Sequence, residues 1–149
     1  MTQVHKRHFE EVKVGDTLPT LEFSVTLTSL VMYAGATWDF HRYHYDADFV
    51  KKIGVEAPFM DGQMLGALIT RVLMQWGGAD AFLRKLGYHQ RAIVLVGDTI
   101  TISGHVAAKD TAENGTCVHC LLSVSSQKTG IVAEDVAATL ELSRQTVAV

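Results

Sequence analysis

Residues 61–78 read Asp-Gly-Gln-Met-Leu-Gly-Ala-Leu-Ile-Thr-Arg-Val-Leu-Met-Gln-Trp-Gly-Gly, and they are the centrepiece of the chain. Met64, Leu65, Leu68, Ile69, Val72, Leu73 and Trp76 recur at helical spacing and make one broad apolar stripe. Asp61 is suited to cap the start, and Gly77-Gly78 stops the end. A stripe of that width must be largely buried. Gly62, Gly66 and Thr70 add a row of small residues every four positions, which predicts the close approach of another backbone. A sheet wrapped around the helix would use that row.

Downstream of this helix, Ala81 to Leu86 reads as a short second helix, capped by Asp80 and ended by Gly87. Everything after it reads as strand: Tyr88 to Val96, Thr99 to Lys109, Thr116 to Gln127 and Ile131 to Ser143. Gly97-Asp98, Asn114-Gly115 and Thr129-Gly130 supply the turns. Ile100, Ile102, Gly104 and Val106 alternate with Thr99, Thr101, Ser103 and His105, and Val136, Ala138, Leu140 and Leu142 alternate in the same way. Each strand therefore has one buried face.

Upstream, Met1 to His8 is expected to be a loose end, and Gly15-Asp16 a turn into a first strand over Leu18 to Leu27. A short helix over Thr28 to Trp38 follows, with Thr28 or Ser29 as its cap. Asp46 caps a further helix, Ala47 to Ile53, closed by Gly54, and 54–60 runs as extended coil to the central helix. One strand, helices, then four strands is α+β.

The 149 residues are expected to form a single domain over 1–149 with a real core. Usage is ordinary globular, 48% hydrophobic and 19% charged. A formal charge of -3 without a Lys/Arg cluster argues against a nucleic-acid or anionic-membrane surface. The longest uncharged stretch, Phe23 to Trp38, is interrupted by Ser and Thr and is short for a spanning helix, so no membrane segment is expected. The start lacks the apolar core of a secretory signal, which makes the cytoplasm the default location. Cys117 and Cys120 have CxxC spacing, but the strand alternation around them puts the two thiols on opposite faces. They are read as two reduced cysteines.

Chemistry is concentrated at 33–46, Tyr-Ala-Gly-Ala-Thr-Trp-Asp-Phe-His-Arg-Tyr-His-Tyr-Asp, where an apolar run ends in a packet of ionisable groups. Asp39 would face the negative end of a helix dipole, an unfavourable placement for a carboxylate that only braces the fold. Four residues separate it from His44, so the two should share one tight loop. For an isolated Asp and His, a loop brace and a packed, hydrogen-bonded histidine would be the better account.

Residues 33–46 resemble the hydratase motif of the MaoC-like, (R)-specific enoyl-CoA hydratases, in which Asp, four residues, then His carries catalysis. Phe9 to Asp16 is similar to the opening of that family, Pro58 to Leu65 falls where its long helix starts, and Val94 to Thr99 resembles its later turn. Four such motifs stand in the right order. The resemblance implies a hot-dog fold, an antiparallel sheet wrapped around a long central helix. It implies hydration of a 2-enoyl-CoA thioester to the 3-hydroxyacyl-CoA, or the reverse dehydration.

That reaction needs a base for water at the β-carbon, an acid for the α-carbon, and donors for the developing enolate oxygen. The resemblance assigns Asp39 and His44 to hold and activate the water, either one being the base. Backbone N–H groups around Gly62, flanked by Asp61 and Gln63, would be the oxyanion and substrate-binding group. No cofactor is implied. His41 and His44 lack a third local ligand, so no metal site is expected, and His41 is read as a solvent-facing loop residue or a partner of the pair.

The chain departs from the family pattern at His41-Arg42, where many members have Asn-Pro, at Asp61, where they have His, and near Ala67, where they have Ser. Two competing readings follow. A hot-dog thioesterase would use Asp61 as its base, although an N-cap is the simplest role for that residue. A non-catalytic partner of another hot-dog subunit would have no use for a poised Asp39 and His44. Finally, Trp76 to Gly87 is similar to the segment after the central helix in small MaoC-like subunits of bacterial steroid side-chain enoyl-CoA hydratases. That likeness implies a bulky acyl group and a second MaoC-like chain. A homodimer or larger assembly is expected in any case, because one sheet around one helix leaves an edge uncovered.

Overall fold

A computed structural model describes residues 6–111 and 115–145. Three helices, α1 (Leu27–Thr37), α2 (Ala47–Lys52) and α3 (Gly62–Gly77), lie between β1 (Leu21–Ser24) and four strands, β2 (Phe82–Gln90), β3 (Thr99–Lys109), β4 (Cys117–Ser126) and β5 (Gly130–Glu141). The strands form one antiparallel sheet in the order β1-β3-β4-β5-β2. No helix among the described residues is long and apolar enough to cross a membrane.

All seven residues of the predicted stripe on α3 are buried. They share one core with Ile100, Ile102 and Val106 of β3, Val118 and Val124 of β4, and Val136 and Leu140 of β5. Each such side chain contributes about 1.5–3 kcal/mol relative to exposure, and truncating the fully buried Leu65 to Ala would cost about 2–5 kcal/mol. The alternation read for β3 and β5 holds, and Cys120 is buried while Cys117 on the opposite face is half-buried; both are free thiols.

The turn into β3 is braced by a buried carboxylate. Asp98 accepts the Ser126 hydroxyl and, at 2.7 Å, the Thr99 N–H, while Ser126 Oγ accepts the Lys128 and Thr129 N–H groups at 3.0 Å. Backbone bonds of 2.8 Å between Val25 and Gly97–Asp98 tie the entry of α1 to the same turn. Every polar group removed from water here is paired, as burial demands.

Several expectations are corrected. Residues 81–86 are not a helix: 82–90 is β2, paired with β5 from Phe82↔Glu141 to Gln90↔Ala133. Helix-forming Leu, Arg and Lys give only a weak local preference, and pairing with Leu83 and Leu86 packed on the core outweighs it. Asp80, instead of capping, pairs with Lys6 at 2.8 Å. The strand expected over 88–96 stops at Gln90, because the following segment bonds to the approach of α3 instead, Met60 N–H to Val94 O and Val96 N–H to Pro58 O, both 2.8 Å.

The first strand shrinks from 18–27 to Leu21–Ser24, since Thr26 leaves the sheet to cap α1. Thr26, not Thr28 or Ser29, is that cap; Ser29 completes a reciprocal capping box with it at 3.1 Å each way. Residues 6–8 are not loose: Lys6 bridges Gly78, Arg7 donates to the Trp76 carbonyl oxygen, and His8 bridges Ser143. Met1 to His5 and Asn114 of the expected Asn114-Gly115 turn lie outside the described residues. The small-residue row on α3 receives side chains of β2 rather than a backbone, as described below.

Candidate active site

The site is assembled from three chain reversals. Helix α1 ends at Trp38, whose left-handed backbone (φ 61°) lets both its own N–H and that of Asp39 return to Ala34 O. Asp39 then turns the chain, accepting the His41 N–H at 3.2 Å. The second reversal is the 3-10 turn Arg42–His44, held in place by Arg42 pairing with Asp46 at 2.7 Å. Asp46 caps α2 through the Phe49 N–H at 2.9 Å, and that bond, followed by the Arg42 guanidinium, holds its carboxyl below the usual aspartate value.

The third reversal is the entry to α3. The Phe59 N–H bonds to Tyr43 O at 3.2 Å, and the Phe59 carbonyl oxygen lies 2.8 Å from Nδ1 of His44, which is buried. A carbonyl oxygen only accepts, so Nδ1 carries the proton and the neutral ring keeps its lone pair on Nε2. Two residues on, Asp61 Oδ1 accepts the Gln63 N–H at 2.8 Å and caps α3.

These reversals bring Asp39, His44 and Asp61 together: one donor atom from each lies within 4.8 Å of the others. Asp39 and His44 were expected to share a loop; Asp61 joins them from a different element. Each bonds one backbone group, and among the described residues His44 Nε2 and the second oxygen of each carboxylate have no backbone partner. By donor type such a trio suits either water activation or a divalent cation. His41 is outside it, exposed and stacked on Tyr43 at 4.0 Å, with its ring 6.4 Å from that of His44.

A cleft of about 360 Å³ opens beside the trio, lined by His44, Phe59, Asp61, Gly62, Gln90 and Ile93 among others. Gly62 presents an N–H at the start of α3 that no intrahelical bond uses. Gln63, grouped with Asp61 and Gly62 from the sequence, has its own N–H taken by Asp61. Sequence reading missed Tyr88 and Gln90 of β2. A Cβ on Gly66 would lie 2.7 Å from Tyr88 Oη, and one on Gly62 would lie 2.9 Å from Gln90 Oε1. The signal was the Gly62/Gly66 row itself. Burial first, then the Asp61 charge, pushes the Tyr33 and Tyr88 phenols above the ordinary tyrosine value, with the nearby Gly66 N–H opposing it at Tyr88. Both hydroxyls are donors at neutral pH.

Residues 9–128 match the model of the MaoC like domain. Over 130 residues the chain is 29% identical to the 3-oxo-4,17-pregnadiene-20-carboxyl-CoA hydratase beta subunit of Mycobacterium tuberculosis, covering 87% of this chain and 95% of that protein. Among solved structures, the ChsH1-ChsH2 complex of M. tuberculosis matches at 24% identity and TM-score 0.78, over 88% of this chain and 98% of that one. The (R)-hydratase of A. caviae involved in PHA biosynthesis matches at 21% and 0.79, over 89% and 98%. R-hydratase PhaJ1 of Pseudomonas aeruginosa matches at 19% and 0.82, over 95% and 92%. At these identities the likeness is one of fold, and the antiparallel sheet packed on α3 is the hot-dog fold of those hydratases.

Proposed function

The chain belongs to the MaoC-like domain family, and from that premise we propose that it hydrates a 2-enoyl-CoA thioester to the 3-hydroxyacyl-CoA, or runs the reverse dehydration. The observation that carries this is the convergence of Asp39 and a tautomer-fixed His44 beside a cleft that His44 and Gly62 both line. His44 Nε2 is the basic atom. Asp39 orients the water, and the proton that His44 Nε2 takes from that water is the one the α-carbon receives.

In the forward direction a water proton passes to Nε2 as the water oxygen bonds to the β-carbon. The π electrons move onto the thioester oxygen, where the Gly62 N–H and the positive end of α3 stabilise them. A proton then returns to the α-carbon, and the thioester carbonyl reforms. Asp61 is an N-cap in this scheme, its acceptor bond to Gln63 being a structural one.

The relative among hydratase beta subunits supports a bulky, steroid-sized acyl group and assembly with a second MaoC-like chain. The sheet edges support assembly on their own account, since among the described residues β1 pairs only with β3 and β2 only with β5. Following enoyl absorbance with short, medium and steroid-sized enoyl-CoA thioesters tests the activity and its acyl preference. A chain that hydrates none of them, alone or mixed with a second MaoC-like subunit, would refute it.

A further inference from the structure

Helix α3 opens on Gly62 and has Gly66 one turn on, so its beginning is by propensity a loose part of that helix. It is also the part whose backbone faces the reacting carbonyl in the activity proposed above, on which this inference rests. The peptide unit between Gly62 and Gln63 is nevertheless held at both of its ends. Its N–H donates to Asp61 Oδ1 at 2.8 Å, and its carbonyl oxygen accepts the Tyr88 hydroxyl at 2.8 Å. That carbonyl is the one the helix already uses to receive the Gly66 N–H one turn on, so the tyrosine is a second donor to it.

A peptide unit is planar, so fixing both of its polar ends fixes its whole plane. Only the rotations at the Gly62 Cα then separate this clamped plane from the Gly62 N–H. Glycine is free to rotate there, and an unclamped turn would let that N–H swing. Tyr88 comes from β2, across the core from the helix, so the clamp also ties the donor to the rigid sheet. The notch at Gly66 exists for it: any Cβ at that position would collide with Tyr88 Oη at 2.7 Å, with the ring carbons next at 3.3 and 3.4 Å.

We propose that Tyr88 is a positioning residue for catalysis, clamping the Gly62–Gln63 peptide so that the Gly62 N–H is pre-aimed at the enolate oxygen. It touches no reacting atom and acts through Gly62. Its hydroxyl should therefore matter to turnover more than to binding, because the oxyanion is present only in the transition state.

Two variants assayed on whichever of the short, medium and steroid-sized enoyl-CoA thioesters wild type turns over fastest, with thermal unfolding alongside, test this. Tyr88→Phe keeps the ring and deletes the clamp; kcat should fall about tenfold with KM within about twofold of wild type, the size of effect a small misplacement produces. Gly66→Ala drives the hydroxyl away without touching Tyr88 chemically and favours the helix by propensity, so its kcat should fall while its unfolding midpoint does not. In the Tyr88→Phe background the same Gly66→Ala change should have little further effect on kcat, since the atom it collides with is gone. Wild-type kcat in Tyr88→Phe, or an undiminished Gly66→Ala loss in the double variant, overturns the role of Tyr88 while leaving hydration standing. A wild-type chain that hydrates no enoyl thioester overturns the hydratase proposal, and the clamp falls with it. If Tyr88→Phe does not fold, Gly66→Ala alone decides: unchanged kcat refutes the clamp, and loss at full stability supports it.

Discussion

The Phe59 carbonyl oxygen lies 2.8 Å from His44 Nδ1, which makes Nε2 the only basic nitrogen of that ring. A base needs that lone pair free, and the bond to Phe59 keeps it on Nε2. His44→Ala and Asp39→Asn should each lower hydration by about 10²–10⁴-fold, the span of general acid–base contributions. The unfolding midpoint of Asp39→Asn should move little, because among the described residues Asp39 bonds the His41 N–H within its own loop, whereas His44→Ala also deletes the buried bond to the Phe59 carbonyl and should lower the midpoint without abolishing the fold. Retained activity in both variants would dismiss the pair as catalysts, and collapse of the fold would make it a structural brace.

Asp61 separates the hydratase from a thioesterase built on the same fold. Asn can accept the Gln63 N–H as Asp does, so Asp61→Asn should keep both the cap and hydration. Asp61→Ala should cost about 1 kcal/mol of stability, with hydration surviving in the folded fraction. Free-thiol release and enoyl absorbance measured on the same samples tell the two reactions apart. Thiol release that needs Asp61 and ignores Asp39 would end the hydratase assignment.

Burial raises the Cys120 thiol from 9.0 to about 11. The folded state thus favours the protonated form, and the stabilisation is complete below the unfolded value and lost as pH climbs through the folded one. Stability should fall between pH 9 and about 11, by an amount on the order of 2–3 kcal/mol from this group. Denaturant titrations of wild type and Cys120→Ala across that window should show a shallower decline in the variant. At neutral pH a thiol reagent should spare Cys120 until the chain unfolds, and prompt labelling at Cys120 itself in a native Cys117→Ser variant would contradict the buried placement.

Both outer strands, β1 and β2, carry an edge with no strand beyond it among the described residues. Exposed Val31 and Met32 on α1, and Trp38 and Phe40 on either side of Asp39, add apolar surface. Sedimentation at micromolar concentration should therefore give a dimer or larger species, with itself or with a second hot-dog chain. A stable monomer that still hydrates would contradict this.

The elements legible in the sequence were those whose signals are local and agree with one another. Helix α3 had an apolar period, a cap and a stop, and all of its predicted stripe is buried. Asp46 and Gly54 marked α2 in the same way, and the Asp39-to-His44 loop followed from where α1 had to end. What failed was decided elsewhere in the chain. The segment Phe82–Gln90 becomes strand because β5, some fifty residues later, offers it a pairing edge, and nothing in its own composition says so. Asp61 was legible as a cap but not as a neighbour of Asp39 and His44, because that proximity depends on how Phe59 returns to the loop. The Gly62/Gly66 row announced a close approach without naming the side chains that make it, Gln90 and Tyr88.

The two tryptophans stand in opposite surroundings, Trp38 82% exposed at the hinge before Asp39 and Trp76 4% exposed under the Arg7 guanidinium at the end of α3. The chain therefore carries two optical reporters that need no label, one emitting from water beside the loop and one from the core. Light absorbed by the pair returns as two colours: a blue shift of the red component alone signals something settling over the loop, and a red shift of the blue component signals the core opening. Occupancy and unfolding can be read from one spectrum.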